Sequence, residues 1–325
     1  MRENMTKELY HYCSNDKCFS ILRSKNIRLS DIQKSNDYRE LSLFFPEILD
    51  CLEELYYQKP FRFQFEGKFN EQAFSKLLEV SYDYWRRKFA SGDFSNFVLC
   101  FSEAADSLSQ WRGYADNGKG CCIGFSKDAL EQYCLSTNGV LQLKQVTYLV
   151  EEGIGNVIRI SAKDILQSLK GLRRWIVSEM TKDNLDPDTD GLLGYNFNGM
   201  LEAAFIDSLQ YKSFAFREER EWRMFFTCPA YKNPEWLCSK LEQPLIGPNG
   251  FSETIAFLQD KIDFHPTEDD LIPYCKIGLN ELNEIPIKSI WLGPKNKIRR
   301  SDMDLFLKKH DYSETEIISS KITYC

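Results

Sequence analysis

Apolar residues along the chain fall into two rhythms. Short runs of mostly apolar residues, bounded by polar turns, predict strands near 9–12, 97–101, 121–125, 146–150, 221–226 and 287–292, with shorter ones at Ile27–Leu29 and Glu316–Ile318. Helical spacing appears at Phe19–Arg23, from Asn70 to Lys88 (Phe74, Leu77, Leu78, Trp85), at Ile165, Leu169, Leu172 and Ile176, at Met200–Leu209 and at Ser301–Lys308. Ser107 starts a short helix to Tyr114, and Asp116-Asn117-Gly118 turns the chain back. Ser301, with Asp304 three residues on, reads as a helix cap. Asn184–Asn198, rich in Asp, Gly, Asn and Pro, reads as a loop. The expected fold is α/β (α+β): a mixed, partly antiparallel central sheet flanked by helices. No repeat and no low-complexity linker divides the chain, so residues 1–325 are expected to form a single compact domain, with a helical insertion near 41–95 and a variable one near 151–210.

Composition narrows the setting. Hydrophobic residues make up 43% of the chain and charged residues 27%, enough for a full core and against wholesale disorder. The net charge of −7 argues against general nucleic-acid binding and leaves room for a local basic surface. Lys295, Lys297, Arg299 and Arg300 form the local cationic run. The 11 cysteines are scattered and odd in number, unlike a disulfide framework, and are expected as reduced thiols with no disulfide-linked partner. The polar start of the chain and the lack of a long apolar stretch predict a cytoplasmic protein with no membrane association. There is no GxGxxG after a strand and no P-loop, and the three histidines give a structural zinc site little to use.

Several polar segments stand out in order. Leu9-Tyr10-His11-Tyr12 is followed by Ile27-Arg28-Leu29-Ser30-Asp31, then by Asn36-Asp37 with Glu40. Cys100-Phe101-Ser102-Glu103 leads through Gln110-Trp111-Arg112-Gly113-Tyr114-Ala115 to Gly120-Cys121-Cys122-Ile123-Gly124-Phe125. Lys212 precedes Glu219-Arg220-Glu221-Trp222-Arg223, and Ile290-Trp291-Leu292-Gly293-Pro294 closes the series. This order resembles the bacterial domain-of-unknown-function family numbered 2971 over nearly the whole chain. The family itself implies no reaction.

The residue types point further. A histidine, a tyrosine and a glutamate on three successive elements resemble the ADP-ribosyltransferase superfamily, in which the first segment holds NAD, an aromatic stacks on nicotinamide and a glutamate completes the site. The resemblance implies Glu221, Glu219 and Tyr114 as catalytic residues. It implies His11, Tyr12, Arg28, Ser102, Trp111 and Arg112 as the residues that bind NAD, the substrate. Breaking the nicotinamide–ribose bond builds positive charge on the ribose, which a carboxylate stabilises. A tyrosine face can stack on nicotinamide, and an arginine fork can grip the diphosphate. On a strand, Glu219 and Glu221 would share one face, with Glu221 stabilising the cation and Glu219 orienting the acceptor. His11, Arg28, Ser102, Arg112, Tyr114 and Glu221 are expected to converge on one cleft.

Each residue also has a plainer role: His11 a hydrogen-bonded strand residue, Trp111 core, Arg112 a partner of Glu103 or Asp106, and the two glutamates solvated beside Arg220 and Arg223. The expected function is NAD-dependent mono-ADP-ribosyl transfer, as in a toxin of bacterial anti-phage defence. Its partners would be an antitoxin or defence-system protein and an acceptor macromolecule. The alternatives are a nucleotide- or ligand-binding sensor without catalysis, and a metal-dependent nuclease built on Asp37, Glu40, Glu219 and Glu221.

Overall fold

The computed structural model describes residues 7–34, 38–57, 79–87, 95–183, 189–228, 257–258, 260–267, 269–282 and 286–324. In chain order the elements are β1 (Glu8–Cys13), α1 (Asn15–Ser24), β2 (Asn26–Asp31), α2 (Tyr38–Tyr57), α3 (79–87), β3 (Ser95–Ser102), α4 (Leu108–Tyr114), β4 (Cys121–Ser126), α5 (Lys127–Ser136), β5 (Leu141–Gln145), β6 (Thr147–Leu149), α6 (Glu151–Asp183), α7 (Thr189–Ser208), β7 (Tyr211–Ser213), β8 (Glu221–Cys228), β9 (Ile262–Pro266), β10 (Leu271–Gly278), β11 (Ile287–Leu292), α8 (Arg300–Lys309) and β12 (Glu316–Ser319). The fold is a mixed, largely antiparallel sheet flanked by helices.

Two compact units divide the chain. The first comprises 1–35, 95–146 and 215–325; the second comprises 36–94 and 147–214. The two stretches expected as insertions, 41–95 and 151–210, thus supply most of the second unit.

The first unit is built on a sheet of ten strands among the described residues. Its main path runs β12-β11-β4-β1-β3-β2-β10-β9, and β8 joins the other edge of β3, with β5 beyond it. Only the β11–β12 pair is parallel, the product of the α8 crossover. Strand alternation sends Leu9, Ile27, Leu29, Phe97, Leu99, Phe101, Ile123, Phe125, Met224 and Phe226 to one face, where they form a core with Cys18 and Leu22 of α1, Leu130 and Tyr133 of α5, and Met303 and Leu307 of α8. The opposite face carries Tyr12 and Cys122, which pack with Trp111 and Ala115 beneath α4. Cys13, Cys18, Cys121, Cys122, Cys134 and Cys275 are buried cysteines that serve as small core residues.

The second unit has its own core. Phe44, Phe45, Ile48, Leu49 and Leu52 of α2 meet Tyr82 and Trp85 of α3, Ile158 to Leu166 of α6, and Phe197, Leu201 and Phe205 of α7. The parallel pair β6–β7 belongs to this unit. The Trp85 indole donates to Asn198 Oδ1 at 2.9 Å, and Arg86 reaches Asp50 at 2.8 Å and Glu53 at 2.7 Å.

Two local expectations change, and a third is described in part. The loop expected over 184–198 is helical from Thr189 onward, because Phe197, Leu201 and Phe205 repeat at helical spacing and bury in one core, outweighing the glycines nearby. The helix expected over 70–88 is described only at 79–87; its earlier part lies outside the described residues. Ser301 does not cap α8, which begins at Arg300 after an N-cap residue, Arg299, with no side-chain capping bond.

Candidate active site

Strand register lays one continuous row of residues across the face of the first unit's sheet opposite the main core. Glu221 of β8 pairs with Ser102 of β3, Ser102 with Tyr10 of β1, Tyr10 with Gly124 of β4, and Gly124 with Ser289 of β11. Directly opposed residues share a face, so the row presents polar groups on the side away from the main core. Gly124 is needed there: a side chain on it would collide with Ser289 Oγ and the Glu8 carboxylate, which are joined by a 2.7 Å hydrogen bond. Burial first, then the charge of Glu8, raises the Tyr10 pKa to about 12, so its phenol keeps its proton.

The row ends at a turn that sets the candidate site. Residues 214–219 form a 3-10 turn, and Arg220 takes a left-handed φ of 46° before β8 begins. This kink overturns the expectation that Glu219 and Glu221 share a strand face, since only Glu221 lies on the strand. Ser102 Oγ donates to the Glu219 carbonyl at 2.6 Å and accepts from the Ala104 amide at 3.1 Å. The Glu103 amide donates to the Arg220 carbonyl at 3.0 Å. The Glu103 carboxylate accepts from the Trp222 indole (2.9 Å), the Gln145 amide (3.0 Å) and Arg220 (3.3 Å). Glu103 therefore ties the end of β3 to the turn. In the sequence Glu103 stands out as part of the Cys100–Glu103 segment and as a partner for Arg112, and no local pattern marks this tie.

The turn presents the Glu219 side chain to the end of α4. The Tyr114 hydroxyl donates to Glu219 Oε1 at 3.1 Å, joining residues 105 apart in the chain, and Tyr114 is 47% exposed. Glu221 has another environment. It is 4% exposed and accepts two hydrogen bonds from Arg223, at 2.8 Å from Nε and 3.2 Å from Nη2, in a bidentate buried pair.

The remaining candidates divide. Tyr12 and Trp111 position the 103–107 loop. The Tyr12 hydroxyl donates to the Ala104 carbonyl at 2.6 Å and accepts from the Ser107 amide at 3.0 Å. Burial drives its pKa far above the ordinary tyrosine value. Trp111 is fully buried against the Tyr12 ring and donates to Asp106 Oδ1 at 2.7 Å. His11 alternates to the other side of β1 from Tyr10 and Tyr12. There it lies edge-on to the core ring of Phe101, bonded through Nδ1 to the Cys100 carbonyl at 3.0 Å. His11 therefore does not join Ser102 and Glu221 on their face, because one-residue steps along a strand reverse the side chain. Arg28 is exposed on β2, 4.5 Å from the Tyr274 ring centre. Arg112 is exposed and lies 6.0 Å from the Tyr324 ring, not on Glu103 or Asp106. Of the six residues expected to converge, Ser102, Tyr114 and Glu221 meet at the 219–221 turn, while His11, Arg28 and Arg112 make their contacts elsewhere.

Residues 110–224 match the family model for a protein of unknown function, DUF2971. The DUF2971 match takes in Trp111, Arg112, Tyr114, Glu219 and Glu221, and leaves out the segments at 9–12, 27–31, 36–40 and 290–294 that also suggested the family. No curated protein and no solved structure matches the chain. Of the residues weighed for a metal-dependent nuclease, Asp37 lies outside the described residues, as does the side chain of Glu40. Among the described residues, no group of three or more His, Cys, Asp or Glu is placed to hold a metal ion, and no helix is long and apolar enough to cross a membrane.

Proposed function

We propose that the chain transfers ADP-ribose from NAD at the surface formed by Tyr114 and Glu219. The observation that supports this reading is the 3.1 Å bond between an exposed tyrosine and a carboxylate held by an ordered turn. Cleavage breaks the bond between the ribose C1′ and the pyridinium nitrogen; the bonding electrons leave with nicotinamide, and positive charge develops on the ribose. Glu219 offers a negative charge to that cation, in a place fixed before the substrate arrives. The Tyr114 ring offers a flat surface to nicotinamide, and its hydroxyl orients the carboxylate. An acceptor nucleophile then bonds to C1′ and gives up its proton to Glu219 or to water.

Relative to the reading from sequence, the cation-stabilising role passes from Glu221 to Glu219. Glu221 is already neutralised by Arg223 in a buried pair. Its part here is to hold the start of β8. That same pairing favours a second reading, a ligand-binding module without catalysis.

The test is incubation with NAD labelled in the nicotinamide ring, with and without a cell extract as acceptor source. Nicotinamide release that depends on Glu219 supports transfer. Saturable NAD binding without release supports the binding module and ends the transferase reading. Neither release nor binding ends both.

A further inference from the structure

Three segments far apart in sequence are joined into one surface at the far end of α4. The Lys295 amide donates to the Gly118 carbonyl at 2.8 Å, the Gly293 amide to the Gly120 carbonyl at 3.1 Å, and Asn296 Nδ2 to the same Gly120 carbonyl at 2.8 Å. The Lys321 amide and Ser320 Oγ donate to Asp106, at 2.8 and 2.7 Å, and the Tyr324 hydroxyl to Asn117 Oδ1 at 2.6 Å. Residues 112–120, 293–297 and 320–324 are therefore fixed against one another.

Cations gather on this surface. Tyr324 has Lys295 Nζ 3.9 Å from its ring centre and Arg112 at 6.0 Å. Lys119, Lys297 and Lys321 are exposed on the same three segments. Among the described residues, none of these five cations makes an ion pair with a carboxylate, although acidic residues outnumber basic ones by 48 to 41 in the whole chain. The turn just before Lys119 holds three successive left-handed residues, Asp116 (φ 48°), Asn117 (φ 52°) and Gly118 (φ 85°). Left-handed backbone at non-glycine residues is strained, less so for Asp and Asn, and such strain concentrates at functional loops.

We infer that this surface binds the phosphate backbone of a single-stranded nucleic acid. Five unneutralised cations spread over three segments exceed the need of one isolated phosphate and suit a chain of them. Two of the five are held against an aromatic ring, which keeps them extended without a carboxylate. A membrane surface suits the patch less well. Amphipathic membrane contacts bury several apolar side chains beside their cations, and of the large exposed apolar residues among those described only Tyr114 lies on these segments. The surface is independent of NAD chemistry, since Arg112 lies beside the Tyr324 ring and neither Tyr114 nor Glu219 is among its cations.

The experiment is fluorescence anisotropy with a labelled single-stranded RNA, NAD absent, across a salt series. With four of the five cations each holding a phosphate, the log–log salt slope is about −3, at about −0.7 each. The double variant Lys295→Ala/Lys297→Ala should weaken binding roughly tenfold and bring the slope to about −1.5. Lys308→Ala/Lys309→Ala, the same change of charge on the last turn of α8, should leave affinity within about twofold. Circular dichroism confirms that each variant is folded, and Lys119→Glu is a second probe should the first double variant unfold. Equal weakening by both double variants would reduce the effect to bulk charge and overturn the site. Absence of RNA binding at low salt would overturn it as well. So would capture by vesicles of anionic lipid with no binding of RNA.

Discussion

Tyr114 and Glu219 share a hydrogen bond of 3.1 Å although 105 residues separate them. Neither is held by this contact alone. Tyr114 ends a helix anchored by the buried Trp111, and Glu219 precedes a left-handed kink whose carbonyls are bonded to β3. If Glu219 stabilises a ribosyl cation, Glu219→Gln should slow nicotinamide release roughly 10²–10³-fold with little change in NAD affinity. Tyr114→Phe, which keeps the ring and loses the hydrogen bond, should cost roughly tenfold. Full activity in Glu219→Gln would remove this carboxylate from the reaction.

Glu221 should matter through stability. Removing one partner of a buried ion pair leaves the other charge uncompensated, at a cost of about 3–5 kcal/mol. Glu221→Ala, with Arg223 left in place, should therefore lose about that much in chemical denaturation. At a temperature where it remains folded, it should keep more activity than Glu219→Gln. Unchanged denaturation together with lost turnover would return the catalytic role to Glu221.

Asp106 joins the loop before α4 to the segment after β12. Its carboxylate takes the Trp111 indole, the Ser320 hydroxyl and the Lys321 amide. Asp106→Ala strands the buried Trp111 N–H, and the expected loss is about 1–3 kcal/mol. Hydrogen exchange at the Lys321 and Ile322 amides should accelerate. Protection left intact at Lys321 would show that the carboxylate is not what fastens this segment.

His11 should make the fold sensitive to acid. Burial pushes its imidazole below the ordinary 6.5, against the smaller opposing effect of the Cys100 carbonyl. The unfolded chain then takes up a proton at higher pH than the folded one. The contribution is complete above 6.5 and is lost as pH falls toward and through the folded value, with a slope of at most about 1.4 kcal/mol per pH unit. His11→Asn, which retains an N–H donor but does not titrate near neutrality, should flatten this part of the stability profile. A profile unchanged by the substitution would mean that other groups carry the acid sensitivity.

Much of the sheet was legible because apolar runs bounded by turns mark buried strands. The runs at 9–12, 97–101, 121–125, 221–226 and 287–292 all fall within strands of the large sheet, and 146–150 overlaps β6. β10 is not marked by an apolar run of this kind and carries Pro273, a residue disfavoured inside a sheet. In the structure Pro273 faces Phe264 of β9 just beyond the ladder with β2, which starts at Tyr274. Residue types around the candidate site were legible too, but their directions were not. Trp111 and Tyr12 turned out to support a loop rather than line a cleft, and Glu103 emerged as the tie between β3 and the 219–222 turn.

The sequence by itself determined the α/β class, the location of most strands and the polar segments that surround the DUF2971 match, because hydrophobic periodicity and turn chemistry are local properties. Only the tertiary structure decided which carboxylate is buried. A positive φ at Arg220 breaks the strand rhythm one residue before Glu221, sending Glu219 to Tyr114 and leaving Glu221 to pair with Arg223. The same holds for the cations around Tyr324: three loops meet there through long-range hydrogen bonds that no local pattern encodes.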